Sequence, residues 1–169
     1  MAAGQTLTNV IDSLVVEATP ADEAAQIVGV AREAGVFSDE EIAVVRELMD
    51  DYVAKGDASS YRFLSCRQGG RVLGFACYGR RSMTQSTFDL YWICSAPGAQ
   101  HKGVGGMLLR QAEQNIRALG GRLMIVETSS QPEYEPARRF YESHGFRRQA
   151  LIEDFYAEGD HLVLYSKKL

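Results

Sequence analysis

Hydrophobic and polar positions change their period several times along this chain, and each change predicts an element. Leu14, Val15 and Val16 form a short apolar run that predicts a strand. Thr19 and Pro20 read as the N-cap and first position of a helix, with Asp22 complementing its N-terminus and Gly35 closing it. Ser38, Asp39, Glu40 and Glu41 make a capping box, after which Ile42, Val45, Leu48, Met49 and Tyr52 recur at helical spacing. The runs 61–66 and 72–78 are apolar or aromatic and are split by Gly69 and Gly70, which predicts a hairpin. The polar stretch 80–86 then reads as a loop before a third run, 87–94.

Val104, Met107, Leu108, Ala112, Ile116 and Leu119 mark a long amphipathic helix ending at Gly120 and Gly121. The run 123–126 has no alternation, as expected of a parallel strand buried on both faces. Strand, glycine-bearing loop, helix and strand over 88–127 therefore make one βαβ unit, with a right-handed crossover expected. Ala137, Phe140, Tyr141 and His144 define a short helix ended by Gly145, and 146–156 and 161–165 read as two strands turning at Glu158, Gly159 and Asp160. No linker, repeat or low-complexity segment interrupts the pattern. The expectation is a single domain over 1–169, of α+β (α/β-like) class.

Composition narrows the function. A chain of 169 residues buries roughly 70% of its unfolded surface, enough for one proper core. Eighteen Lys+Arg against 22 Asp+Glu give a net charge of -4, which argues against a nucleic-acid or polybasic membrane-surface partner. No apolar run approaches the roughly 18 residues of a membrane span, and the N-terminus lacks the basic start and apolar stretch of a signal peptide. A cytoplasmic protein is expected. Cys66, Cys77 and Cys94 are odd in number and, with His101, His144 and His161, show neither disulfide nor metal-ligand spacing, so no metal is expected.

The most informative stretch is 96–109, where a strand feeds a glycine-bearing loop and a helix begins at once, the arrangement of an anion site. It is not a nucleotide P-loop: Gly98 and Gly103 have the gap, but Val104 and Gly105 stand where Lys and Ser/Thr are needed. Nor is it a dinucleotide fingerprint, because Leu108 occupies the third glycine position. What fits is Gln100-His101-Lys102-Gly103-Val104-Gly105, with Pro97 three residues before it. A second stretch places Ala137, Tyr141 four residues on, and Gly145-Phe146 at a helix exit; a third runs from Asp154 to His161. On these stretches the chain resembles the GNAT superfamily, the GCN5-related N-acetyltransferases, over most of its length and least over 1–60.

That resemblance implies a mixed central sheet of about six to seven strands flanked by about four helices. It implies acetyl-CoA as cosubstrate, its pyrophosphate wrapped by the backbone of Gln100, His101, Lys102, Gly103, Val104, Gly105 and Gly106 and its pantetheine along Ile93, Cys94 and Ser95. A side chain at Gly103 or Gly105 would then block the approach. Tyr134 stands where many members carry an asparagine that touches CoA. Tyr141 matches the tyrosine whose hydroxyl lies near the sulfur and could protonate the departing thiolate.

The acceptor arrives as an ammonium with a pKa near ~10 if it resembles lysine, so a base is needed. Asp89 lies six residues before Ser95, where histone acetyltransferases of the family carry their glutamate; Glu127 matches the glutamate of ribosomal-protein N-terminal acetyltransferases. Glu127 is preferred slightly, because parallel strands place functional groups at their C-terminal ends. Strict alternation sets Asp89 beside Tyr91 and Ile93, opposite Phe88, Leu90 and Trp92. Cys94 reads as a buried thiol and His144 as a helix C-terminal cation. The expected activity is acetyl transfer to a primary amine of a small molecule such as an amino acid or polyamine. A peptide or protein amine is the nearest alternative, and a CoA-binding sensor or scaffold without turnover the alternative from another class. A second copy of the chain is the protein partner to test.

Overall fold

The computed structural model describes residues 13–169, so the reading of the extreme N-terminus lies outside the described residues. In chain order the elements are β1 (Val15–Ala18), α1 (Ala24–Glu33), α2 (Asp39–Lys55), β2 (Tyr61–Gln68), β3 (Arg71–Arg80), β4 (Thr87–Ser95), α3 (Val104–Ala118), β5 (Leu123–Ser129), α4 (Glu135–Ser143), β6 (Arg147–Ala157) and β7 (Asp160–Lys168). The strands form one mixed sheet in the order β1-β2-β3-β4-β5-β7-β6, in agreement with the expected fold.

The helix pair comes from local chemistry. Ser38 Oγ accepts from the Glu41 N–H (3.1 Å) and Glu41 Oε2 accepts from the Ser38 N–H (2.8 Å), the reciprocal cap that starts α2. Thr19 does not cap α1. Its N–H donates to Phe63 O (3.0 Å) and its buried hydroxyl shares a 2.6 Å hydrogen bond with Ser65, so it prolongs the β1–β2 ladder. The helix begins five residues later, after a 3₁₀ turn over Ala21–Glu23.

Helices cover both faces of the sheet. Tyr52 of α2 packs on Phe63 of β2 (5.5 Å between rings), whereas Asn115 of α3 donates to the Tyr78 hydroxyl (3.1 Å) from the opposite side. Leu108, Ala112 and Ile116 of α3 are fully buried, as are Ile27, Ala31 and Val45 of α1 and α2.

Two expectations about strands change. The β3–β4 register shifts between Cys77 and Tyr78, which pair with Trp92 and Leu90 and leave Tyr91 as a bulge. Alternation therefore breaks: Trp92 lies on the face away from α3, edge-on to Phe37 of the α1–α2 loop, and not beside Leu90. β5 is not buried on both faces either. Met124 and Val126 are core residues, but Leu123 and Ile125 are half-buried and Glu127 is exposed. Among the described residues no helix is long and apolar enough to cross a membrane.

Candidate active site

β4 and β5 pair in parallel over three residues only, Thr87↔Leu123 to Asp89↔Ile125. Beyond that point β4 stays with β3 and β5 with β7, and the sheet splits. The split opens a cleft of about 1980 Å³. Every residue singled out above as a site candidate lines it. Backbone groups on the parted edges of β4 and β5 have lost the partners a continuous ladder would supply, so they can serve a ligand.

One end of the cleft is built from backbone. Ile93, Cys94 and Ser95 lead out of β4 into a 3₁₀ turn over Pro97–Ala99, followed by Gln100, His101 and Lys102. His101 (φ 62°) and Gly103 (φ 81°) are both left-handed, and Gly103 is the N-cap of α3 with no side-chain cap. The first amide to bond back is that of Met107, to Gly103 O (3.0 Å), so the N–H groups of Gly103, Val104, Gly105 and Gly106 begin the helix uncapped. Together with the helix dipole they give this end of the cleft a positive potential that suits an anion, and Lys102, Arg110 and Arg139 line the same cleft.

The glycines there have different jobs. A Cβ at Gly103 would enter open space, but its positive φ disfavours any side chain. At Gly105 a Cβ would lie 3.1 Å from the Phe140 ring, and at Gly106 3.2 Å from His144 Nε2. Those two permit α4 to rest on α3: a Cβ at Gly105 would meet the Phe140 ring, while the residue itself still lines the cleft. His144 is held within the same contact, its Nδ1 2.8 Å from Phe140 O.

Tyr141 stands at the middle. It is 7% exposed and its ring packs on Phe140, Phe146 and Tyr165 at 5.6–6.1 Å. Its hydroxyl has no hydrogen-bond partner among the described residues. Burial, with Cys94 nearby, raises its pKa well above the phenol range. The residue is thus both a core aromatic and a protonated hydroxyl on the cleft. Burial also pushes the Cys94 thiol up to about 12, which leaves it without the thiolate a nucleophile needs.

The other end is built from side chains. Asp89 closes the last ladder pair of β4 and Glu127 lies two residues beyond the last pair of β5. Arg81 spans them: Nη1 donates to Asp89 Oδ1 at 2.7 Å, and Nη1 and Nη2 to Glu127 Oε1 at 3.3 Å. The Asp89 side chain is 14% exposed and that of Glu127 41%. Burial pushes the Asp89 carboxyl up, outweighing the downward pull of Arg81.

Tyr134 does not point an idle hydroxyl at the cleft. It donates to Glu41 Oε1 (3.0 Å), tying the loop before α4 to the start of α2. Tyr156, on β6, is pushed up to about 12 by desolvation and by the charges of Glu127, Asp160 and Glu41. Asp160 accepts from Ser129 Oγ. Arg81, Glu41 and Asp160 line the cleft as well, although by local sequence Arg81 reads as loop, Glu41 as a cap and Asp160 as a turn. Among the described residues no group of three or more His, Cys, Asp or Glu is placed to hold a metal ion.

Comparisons with known proteins agree with this fold. The model of the GNAT acetyltransferase domain matches residues 59–148. A GNAT-family acetyltransferase from Desulfovibrio desulfuricans is 36% identical, with 92% of this chain and 99% of that one covered at a TM-score of 0.87. The PaiA N-acetyltransferase of Thermoplasma acidophilum, solved in complex with coenzyme A, is 22% identical, with 93% and 99% covered at a TM-score of 0.72. The N-acetyltransferase YsnE of Bacillus subtilis (strain 168) is 27% identical over 107 residues, 63% of this chain and 69% of that protein. A mixed sheet that splits beside an uncapped helix, in a chain of which one family model matches more than half, places the protein in the GNAT family of N-acetyltransferases.

Proposed function

We propose that the cleft binds acetyl-CoA at its backbone end and passes the acetyl group to the primary amine of a small molecule entering from its carboxylate end. The observation that carries this reading is the arrangement itself: an anion site, a protonated tyrosine and an arginine-bound pair of carboxylates succeed one another along one cleft. The coenzyme A in the PaiA structure supports acetyl-CoA as donor. The pyrophosphate lies on the amides of Gly103–Gly106, and the pantetheine runs along Ile93, Cys94 and Ser95 on the open edge of β4.

In the reaction the acceptor ammonium gives its proton to the Asp89–Glu127 pair. The amine nitrogen forms a bond to the thioester carbonyl carbon, the carbon–sulfur bond breaks, the thiolate takes the Tyr141 proton, and the second proton that the nitrogen sheds as the amide forms returns to the Tyr141 oxygen. A backbone N–H on the parted edge stabilises the carbonyl oxygen while it carries charge. Glu127 stands on the water side, so the proton leaves through it.

Two features favour a small acceptor over a protein. The Tyr134–Glu41 hydrogen bond crosses the acceptor end and narrows it, and Glu41, Asp89, Glu127 and Asp160 with Arg81 suit a compact cation. The test is thiol release from acetyl-CoA with a panel of L-lysine, putrescine, spermidine, tyramine and an alanyl peptide. Amine-dependent release is expected, strongest with the free amines. Tight acetyl-CoA binding without release on any of them would instead mark a CoA sensor. A homodimer is proposed at β6, an exposed edge whose Arg147–Arg148 end would meet Glu153 and Asp154 of an antiparallel second copy; light scattering measures it.

A further inference from the structure

The split in the sheet poses a problem that the family motifs do not address. Asp89 closes the last β4–β5 ladder pair and Glu127 lies two residues beyond it, where the strands have parted, so no further rung of the ladder holds Glu127 beside Asp89. We propose that Arg81 is the positioning residue of the proton-accepting pair, tying Asp89 to Glu127 across the split and offsetting the repulsion between their carboxylates. The inference rests on the reading of that pair as the base.

Arg81 is built for the task. Its backbone is anchored on both sides: the N–H donates to Thr87 O (2.9 Å) and the carbonyl accepts from Thr84 Oγ1 (2.8 Å). The side chain therefore leaves a fixed point at the root of the β3–β4 loop. A guanidinium presents parallel donors at a fixed spacing, which a lysine cannot do, and here Nη1 reaches one carboxylate while both Nη atoms reach the other.

The groups around it define the electrostatics. Asp89 faces Arg81, Glu127 and Tyr91; Glu127 faces Arg81 and Tyr156; Tyr156 faces Asp160 and Glu41 besides. Among these groups Arg81 supplies the positive charge, the others being acids or neutral phenols. Without it two carboxylates would confront each other, and one would retain a proton into the neutral range, as like charges at close range do. Such a pair has one carboxylate left, and that one, sharing the retained proton, is the weaker acceptor for the proton of the ammonium.

The test is the pH profile of kcat/KM from about pH 5 to about pH 9, across the carboxylate and amine ranges, for wild type, Arg81→Gln and Arg81→Lys. It uses whichever amine of the panel turns over fastest. In Arg81→Gln the acid limb should move up by about one pH unit, for a loss of about tenfold on that limb that closes at high pH. Arg81→Lys, which keeps the charge, should return the limb towards wild type while losing some rate throughout. A carbon-13 titration of the Asp89 and Glu127 carboxyls without substrate should show both rising in Arg81→Gln. If the rate falls by one factor at every pH and the carboxyls do not move, Arg81 is only a prop and the proposal is overturned. Carboxyls that rise in a protein whose wild type releases no thiol with any amine would uphold the clasp and sink the acetyl-transfer reading instead.

Discussion

At α3 the cleft is lined by main chain, uncapped amides and a left-handed glycine within one short segment. At the opposite end it is lined by side chains from the β3–β4 loop, β4, β5, the start of α2 and the β6–β7 hairpin. Backbone recognition depends on conformation, and conformation there follows from local sequence. Side-chain recognition depends on register and strand separation, which follow from the whole sheet. One end is therefore suited to a cosubstrate that stays the same, and the other to an acceptor that can change by substitution at a few separate positions.

If the ends divide the labour in this way, changes at each should affect different quantities. The largest effect is expected at the carboxylates. Glu127→Gln and Asp89→Asn should each lower kcat/KM by roughly 10²-fold at neutral pH, and less at high pH where the amine deprotonates unaided. Because Arg81 binds both, the double variant should be little worse than either single one; additive losses would show that the pair does not act as a unit.

At the boundary between the ends, Tyr141→Phe removes a hydroxyl and keeps the ring against Phe140, Phe146 and Tyr165. The departing thiolate has a pKa near ~8.5 by analogy with cysteine and can leave unprotonated at modest cost, so kcat should fall by at most about 10²-fold. Thermal unfolding should be nearly unchanged. A loss of melting temperature with kcat intact would leave Tyr141 a packing residue only.

At the backbone end, Gly103→Val should weaken acetyl-CoA by about tenfold or more in calorimetry, through strain at φ 81° and disturbance of about two amide contacts. Gly105→Ala supplies the contrast: its Cβ meets Phe140, so melting temperature should fall more than affinity. The smallest effect belongs to Tyr134→Phe. Losing its hydrogen bond to Glu41 should cost about 1 kcal/mol in denaturant unfolding and widen the range of amines accepted.

The same division governs what can be read from the sequence. The capping box at Ser38, the hairpin at Gly69 and Gly70 and the helix from Val104 are set by residues a few positions apart. So is the anion loop. Thr19 misleads because its hydroxyl answers to Ser65, forty-six residues away, and not to the helix beside it. Trp92 changes face because of a bulge that only the pairing with β3 creates. Arg81 carries no local mark at all. Its meaning depends on β4 and β5 parting after Asp89, and that parting depends on the long-range pairing of β5 with β7.

The separation of the two ends is tested most directly by titrating acetyl-CoA calorimetrically into the Asp89→Asn/Glu127→Gln double variant while measuring its thiol release with the best amine. The account predicts acetyl-CoA affinity within a few-fold of wild type, since no amide of the anion site is touched, with turnover lowered by roughly 10²-fold at neutral pH. Affinity falling together with turnover, or turnover surviving intact, would contradict it.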